Sequence, residues 1–178
     1  RGIFLSTPGV TDIITNISAF NEGIPVVKFT NITSTGVEAE PSAGGTFCST
    51  DVPLFRLAEQ YLIYAEAVLR GGAGGDPNTA LSYINLLRER AYGNTSGDIT
   101  SGQLTLPFIL DERGRELYWE CFRRTDLIRF GEFTSGSYLW PWKGGVAYGT
   151  GVDNHYAIFP GPIIALHSNS NVTQNPGY

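Results

Sequence analysis

The chain has 178 residues, of which 42% are apolar, 12% aromatic and 16% charged, and its net charge is -5. This length and apolar content suit one folded domain with a sizeable core. The acidic balance and the absence of any Lys/Arg run exclude a basic surface for nucleic acid or an anionic membrane. The apolar runs are shorter than the roughly 20 residues that a membrane-spanning helix needs.

The first 50 residues are rich in Gly, Thr, Ser and Pro and show no sustained period near 3.6. Short β-branched runs, such as residues 26–29, have the composition of one or two brief strands. We expect residues 1–50 to form a loop-rich segment that packs on the core, which residues 51–178 contribute.

The clearest periodicity in the chain predicts two neighbouring helices. In residues 52–70, apolar side chains recur at three- and four-residue steps behind a capping residue, Asp51. The same pattern in residues 77–91 follows the pair Asp76-Pro77, a cap and a first-turn proline. Because the loop between them is short, we expect an antiparallel hairpin, the unit of tetratricopeptide-like arrays. The predicted apolar face of the first helix comprises Leu54, Ala58, Tyr61, Leu62, Ala65, Val68 and Leu69.

A third helical segment is predicted for residues 106–130, with a bend near residues 121–124 and a stop at Gly131. Cys121 lies in its apolar pattern, where we expect a buried free thiol. Together with Cys48 it makes a single pair, which is too few for a disulfide framework.

The tail, residues 131–178, is rich in Gly, Pro and aromatic residues. It predicts turns, at most one pair of strands, and extended backbone at residues 159–162. The predicted fold class is therefore mainly α: a helical hairpin scaffold with long irregular loops and a Gly- and aromatic-rich C-terminal tail.

Four motifs occur in the order and spacing of one protein family. They are Arg56–Ala67, Ala80–Ala91, Asp111–Glu120 leading into Arg123–Arg129, and the ending Gln174-Asn-Pro-Gly-Tyr178. With these motifs the chain resembles the C-terminal part of the SusD/RagB family, over at least residues 51–178. The stretch Tyr-Leu-Trp-Pro-Trp-Lys-Gly-Gly at residues 138–145 is close to the starch-binding member of that family. Gly161 departs from the family pattern, which has an apolar residue there, and this puts the local loop geometry in question.

The resemblance implies a tetratricopeptide-like scaffold with long loops, without catalysis and without a cofactor. It implies a lipoprotein of the bacterial outer membrane, exposed at the cell surface and anchored through an N-terminus absent from this chain. The implied partners are an oligosaccharide ligand and a SusC-type TonB-dependent transporter, which the SusD-like subunit caps. The chain begins at Arg1 and contains no Met, so we also expect the missing N-terminal part of the same protein as a partner.

Glu112, Glu116 and Glu120 lie four residues apart and would form one acidic stripe on a helix. Like charges at this spacing destabilise a helix by roughly 0.2–0.5 kcal/mol per pair, so nearby cations have to offset them. The favoured interpretation is a structural ion network, whose predicted members are Arg56, Glu59, Glu66, Arg88, Glu112, Arg113, Glu116, Glu120, Arg123 and Asp126. A pair of carboxylates could instead serve a glycosidase. A metal site is disfavoured because the sequence has no Glu-x-x-His motif.

Five aromatic residues of the tail could stack on sugar rings: Tyr138, Trp140, Trp142, Tyr148 and Tyr156. The first four are the candidate carbohydrate-binding residues. Aromatic rings offer large, rigid contact area to the flat C–H faces of pyranoses. The favoured interpretation is structural, with these rings and that of Tyr156 lying over the helices as core. The starch-contacting aromatics of the family belong, as the resemblance implies, to sequence upstream of Arg1.

These observations predict a non-catalytic glycan-binding subunit of an outer-membrane import system, with starch or malto-oligosaccharides as the expected ligand. Two other functions stay open: a helical-repeat scaffold for protein partners and a glycoside hydrolase that uses the glutamate stripe. Glycan binding without hydrolysis would separate the first function from the other two. The long aromatic tail favours the first, because a plain repeat protein has no need of it.

Overall fold

The computed structural model describes residues 13–18, 22–23, 26, 28–29, 31–33, 35–37 and 50–178. The regular structure of these residues is helical, with no strand and only isolated bridge residues at Glu22 and Ile32. Val26, Lys28 and Phe29 are therefore not in the strand predicted there, and Val27 lies outside the described residues. None of the helices described is both long and apolar enough to cross a membrane.

The chain divides into two compact units, Arg1–Phe122 and Arg123–Tyr178. The boundary predicted after residue 50 stays a prediction, because most of the segment before it lies outside the described residues.

The first helix, α1, spans Leu57–Leu69 and so begins later than the predicted residue 52. Its N-terminal boundary is Arg56, whose backbone is extended (φ -146°) and whose side chain does not cap the helix. Asp51 is therefore not the cap, and Leu54, which was assigned to the apolar face, is 76% exposed. The Arg56 side chain instead donates to the carboxylates of Glu116 and Glu120. These bonds hold the backbone extended at the residue before α1.

The second helix, α2, spans Pro77–Tyr92 and confirms the sequence prediction at both ends. The Asp76 carboxylate accepts a hydrogen bond from the Thr79 amide at 2.8 Å, and Pro77 occupies the first turn, where no donor is lost. Gly93 ends the helix in the left-handed conformation (φ 74°), and its N–H donates to the Glu89 carbonyl.

The two helices form the predicted hairpin. The Tyr61 ring stacks on that of Tyr83, with centroids 4.2 Å apart, and Tyr64 meets the same ring edge-on at 5.3 Å. The Tyr64 hydroxyl also accepts from the Asp76 amide at 3.0 Å. Later residues of α1 thus meet earlier residues of α2, which is the antiparallel order. The buried apolar side chains between the helices of this unit are Ala58, Leu62, Ala65, Ala80, Ile84, Leu87, Ile109 and Leu110.

The segment predicted as one bent helix over 106–130 is two helices with a break. Helix α3 spans Leu106–Glu116 and helix α4 spans Arg123–Arg129. Within the break, Trp119 and Cys121 have positive φ angles of 60° and 65°, which costs an L-residue about 1–3 kcal/mol. Cys121 is exposed, so the expected buried thiol is wrong; Cys48 lies outside the described residues.

Two side chains account for the end of α3. In a continuing helix the Glu116 carbonyl would accept from the amide of residue 120. Here the Arg56 guanidinium donates to that carbonyl at 2.6 Å, and Lys28 donates to it and to the Tyr118 carbonyl. The Glu120 amide turns back to the Leu117 carbonyl at 3.0 Å. Cations therefore satisfy the terminal carbonyls of α3, where the helix dipole favours positive charge.

The second unit contains α4, two 3-10 turns at Lys143–Gly145 and Asn154–Ala157, and a short helix, α5, at Ile163–Ser168. The sequence prediction missed α5, because the prolines just before it indicated extended backbone. Lys143 holds the loops of this unit together. It is 3% exposed, and its ammonium donates to the carbonyl oxygens of Glu132, Ser135 and Tyr138.

The last five residues of the chain fasten the tail. Gln174 accepts from the Gly161 amide at 2.6 Å and donates to its carbonyl at 3.2 Å. Asn175 donates to the Phe159 carbonyl at 2.6 Å, and the Tyr178 hydroxyl donates to the Ile158 carbonyl at 2.8 Å. The terminal motif is thus a set of side-chain bonds to the backbone of residues 158–161.

Candidate functional site

A group of three cations and two carboxylates lies at the end of α3, and we call it the carboxylate cluster: Lys28, Arg56, Arg90, Glu116 and Glu120. Arg56 donates to Glu116 at 2.6 Å and to both oxygens of Glu120 at 2.7 and 2.8 Å. Arg90, on α2, donates to both Glu116 oxygens at 2.6 Å. Lys28 completes the cluster by an ion pair with Glu120. Each carboxylate therefore serves two cations.

The cluster keeps both carboxylates ionised. Burial by itself would raise the pKa of Glu116, but hydrogen bonds from Arg90 and Arg56 outweigh it and hold that pKa below its ordinary value. Burial opposes ionisation of Glu120 in the same way, and hydrogen bonds from Arg56 and Lys28 lower its pKa. Burial also acts against the charge of Arg56, but its bonds to Glu120 and Glu116 leave its pKa raised.

A second ion group joins α2 to α3. Glu112 is fully buried and pairs with Arg88 at 2.9 Å and with Arg115 at 2.8 Å. The Arg88 guanidinium also donates to the Gly97 carbonyl and lies 5.4 Å from the ring centroid of Tyr92. A planar, delocalised cation suits this mixture of carboxylate, carbonyl and aromatic neighbours.

The structure distributes the ten predicted network residues over several places. It brings Arg56, Glu116 and Glu120 together, and Arg88 with Glu112. Elsewhere, Glu66 pairs with Arg70 at 2.8 Å and Asp126 pairs with Arg129 at 2.6 Å. The other three are Glu59, which is buried on α1; Arg113, whose guanidinium lies 5.9 Å from the Phe122 ring centroid; and Arg123, which donates to the Tyr138 hydroxyl.

Sequence reasoning missed Lys28, which lies in the loop-rich N-terminal segment, 92 residues before its carboxylate partner. No periodicity or motif connects the two positions. The expected stripe of three glutamates on one helix is also wrong, because α3 ends at Glu116. Glu120 reaches Arg56 from the break that follows the helix.

The second unit holds a cavity of about 440 Å³, which we call the aromatic cavity; its lining includes Arg124, Phe133, Trp140, Lys143, Tyr156 and Phe159. The rings of Phe133, Trp140, Tyr156 and Phe159 each have a cation or imidazole beside them. The Arg124 guanidinium lies 4.0 Å from the Phe159 centroid, and the Lys143 ammonium lies 4.4 Å from that of Trp140. The His155 ring lies 4.0 Å from that of Tyr156. These contacts fix the orientation of the rings that line the cavity.

Of the four predicted carbohydrate-binding residues, only Trp140 lines this cavity. Tyr138 accepts a hydrogen bond from Arg123, with its ring centroid 6.5 Å from that of Trp140. Trp142 is half-buried, with its indole nitrogen enclosed and without a hydrogen-bond partner among the described residues. Tyr148 is 92% exposed, so the interpretation of its ring as core is wrong. Tyr156, which could also stack on a sugar ring, lines the cavity as well, and so does Phe159, which the sequence analysis did not name for binding.

The chain is a mainly α-helical protein with a helical hairpin and an aromatic tail, and it belongs to the SusD family. The model of the SusD family matches residues 6–178. Over 162 residues, 91% of this chain, it is 44% identical to "Starch-binding protein SusD" of Bacteroides thetaiotaomicron. It is also 43% identical over 83 residues, 44% of this chain and 15% of the relative, to "SusD-like protein P25" of Formosa agariphila.

A solved structure supports the same assignment. A SusD superfamily protein from Bacteroides vulgatus superposes with a TM-score of 0.57 at 31% identity, covering 79% of this chain and 31% of its own. The chain spans 27% of the length of the starch-binding relative. The resemblance seen in the motifs is thus confirmed, and the mainly helical fold with it.

Proposed function

We propose that this chain is part of a glycan-binding protein that works at the bacterial cell surface and captures starch or malto-oligosaccharides without hydrolysing them. The observation that carries the proposal is the 44% identity over 91% of the chain to a protein named for starch binding. The aromatic cavity of the second unit supports it, since rings held in place are the usual contact surface for sugars.

The state of the glutamates favours binding over hydrolysis. A glycosidase needs a general acid whose pKa is raised, together with a second carboxylate free to act as base or nucleophile. Here the pKa values of Glu116 and Glu120 are lowered, and both carboxylates are bonded to arginine. Glu112 is fully buried between Arg88 and Arg115. None of the three is placed to protonate a glycosidic oxygen.

We further propose the partners that the family resemblance implies: a SusC-type TonB-dependent transporter and the remaining part of a longer SusD-like protein, lipid-anchored in the outer membrane. An apolar surface supports the second of these. Val52, Leu54, Phe55 and Leu57 are 63–82% exposed, and a run of exposed apolar side chains marks an interaction surface. A further part of the protein covering this run would remove it from water.

Titration of the full-length protein with maltoheptaose tests the proposal, with cello-oligosaccharides of equal length as the specificity control. We expect saturable calorimetric binding of maltoheptaose, and no new reducing ends after prolonged incubation. Hydrolysis would favour the glycosidase alternative. Absence of binding to any glycan, together with capture of a protein ligand, would favour the scaffold alternative.

A further inference from the structure

The aromatic cavity has the features of a ligand site that the ion clusters lack. Its volume of about 440 Å³ falls in the range of small-molecule sites, roughly 300–1,000 Å³. All of its lining residues belong to the second unit, Arg123–Tyr178. Most of the lining is aromatic or aliphatic, which suits the C–H face of a ligand more than a highly charged one.

The two cations of the lining are already engaged within the protein. The Lys143 ammonium donates to three carbonyl oxygens, which uses all of its hydrogens. Arg124 donates to the carbonyls of Tyr156 and Ala157 and lies over the rings of Phe133 and Phe159. Lys143 therefore fixes the cavity wall and has no hydrogen left for a ligand, and the bonds from Nη2 of Arg124 hold its guanidinium against two of the lining rings.

Two neutral polar side chains of the lining, Trp140 and Tyr156, differ from these cations in their hydrogen bonding. The Trp140 indole N–H and the Tyr156 hydroxyl have no hydrogen-bond partner among the described residues, although both side chains line the cavity. Tyr156 is 49% exposed and Phe159 is 69% exposed, so rings are open to solvent beside these polar groups. An apolar wall with a few convergent hydrogen-bonding groups is the usual composition of a small-ligand site.

We propose that the aromatic cavity binds a neutral pyranose unit, with its C–H face on the exposed rings of Tyr156 and Phe159. The Trp140 N–H then donates to a sugar hydroxyl, and the Tyr156 hydroxyl bonds to another. A neutral sugar matches both features of the cavity, because it presents apolar C–H groups on one face and hydroxyls around its edge. This site rests on the proposed glycan-binding function and adds to it a second, weaker contact within the C-terminal unit.

The indole N–H of Trp140 is also the natural reporter of the site. The chain has three Trp residues, so its ¹⁵N-labelled form gives three indole resonances, and Trp140→Phe identifies the one from the cavity. On titration with maltose we expect the Trp140 resonance to shift saturably, with a Kd on the order of 1 mM. The Trp119 and Trp142 resonances should stay in place. Sorbitol, which has similar hydroxyls without a ring, is the matched ligand control and should cause no shift.

Two variants test the contacts while preserving the fold. Tyr156→Phe keeps the ring and removes one hydroxyl, so we expect about fivefold weaker maltose binding. Ile164→Ala removes an exposed side chain outside the cavity and should leave the affinity unchanged. The proposal is overturned by a Trp140 resonance that does not move at saturating maltose, by an equal response to sorbitol, or by a loss of binding in Ile164→Ala that Tyr156→Phe does not show.

The same titration of the full-length protein separates this inference from the proposed function. If maltoheptaose binds by calorimetry but the Trp140 resonance does not respond to maltose, the function stands and the cavity site fails. If the Trp140 resonance responds but no oligosaccharide binds the full-length protein more tightly than maltose binds the cavity, the cavity site stands and the proposed capture function fails.

Discussion

Glu116→Gln is the substitution that most directly tests the role of the carboxylate cluster. The Glu116 carboxylate is 1% exposed and accepts bonds from two arginines. The amide of glutamine has nearly the same shape, so it creates no cavity. It removes the negative charge, however, and places two N–H donors among guanidinium groups that can only donate.

The size of the effect follows from what remains after the substitution. Stranding a buried charge completely costs roughly 3–5 kcal/mol. Here Arg56 keeps both of its bonds to Glu120, and the Arg90 side chain is 52% exposed and can turn into water. We therefore expect a smaller loss, about 2–3 kcal/mol of unfolding free energy, which corresponds to a fall of about 4–12 °C in Tm for a chain of this length.

Urea unfolding of the chain, followed by circular dichroism at 222 nm, measures this loss. Glu89→Gln is the matched control, because Glu89 is a half-buried carboxylate of α2 without a side-chain bond among the described residues. It should change the unfolding free energy by less than about 0.5 kcal/mol. If Glu116→Gln were no more destabilising than Glu89→Gln, the cluster would not contribute to stability and the reasoning would be wrong.

Three further predictions concern pH, a buried lysine and a helix cap. The folded-state pKa values of Glu116 and Glu120 are lowered, so the stability that these carboxylates contribute is complete above about pH 5 and is lost as the pH falls below about 4. Tm measured from pH 3 to 7 should show this loss. In Glu116→Gln the fall of Tm at low pH should be smaller. Lys143→Met keeps the side-chain stem but leaves three carbonyls without their donor, so it should destabilise the second unit by about 2–3 kcal/mol. Hydrogen exchange of the backbone amides in that unit should become faster. Unchanged exchange would contradict the role of Lys143. Asp76→Ala should lower Tm, because the Thr79 amide and hydroxyl lose their acceptor. Asp76→Asn should lower Tm less. Equal Tm values for the unsubstituted chain and both variants would show that the cap is not needed.

The parts of the fold that the sequence predicts well are those fixed by local signals. Helix α2 has its cap, its first-turn proline and its terminal glycine within 18 residues of sequence, from Asp76 to Gly93. The predicted start of α1 was wrong because the local signals for a helix at Asp51 and Leu54 compete with distant ion pairs of Arg56. The bonds of Arg56 to Glu116 and Glu120 span 60 and 64 residues, and they favour an extended backbone at the residue where a local pattern predicts helix.

The break after α3 has the same origin. Residues 106–130 carry an apolar period that continues through Cys121, so a pattern of single residues predicts one helix with a bend. What ends α3 is the capture of the Glu116 carbonyl by Arg56 and Lys28, and neither side chain belongs to the segment. Sequence reasoning could predict a network of charged residues from their number and spacing. It could not assign partners, because pairing depends on which loops bring the cations to the helix end.

The terminal motif shows how two separate sequence features become one contact. Gly161 departs from the family pattern, and Gln174 opens the motif that ends the chain. In the structure the Gln174 amide bonds to both the N–H and the carbonyl of Gly161, in the way that a neighbouring strand would. A Cβ on residue 161 would lie 3.3 Å from the Gln174 side-chain oxygen, so glycine lets this amide approach the backbone closely. Glycine at position 161, where the family pattern has an apolar residue, is therefore compatible with the C-terminal motif. The hydrogen bonds that hold the loop use the backbone of residue 161 and not its side chain.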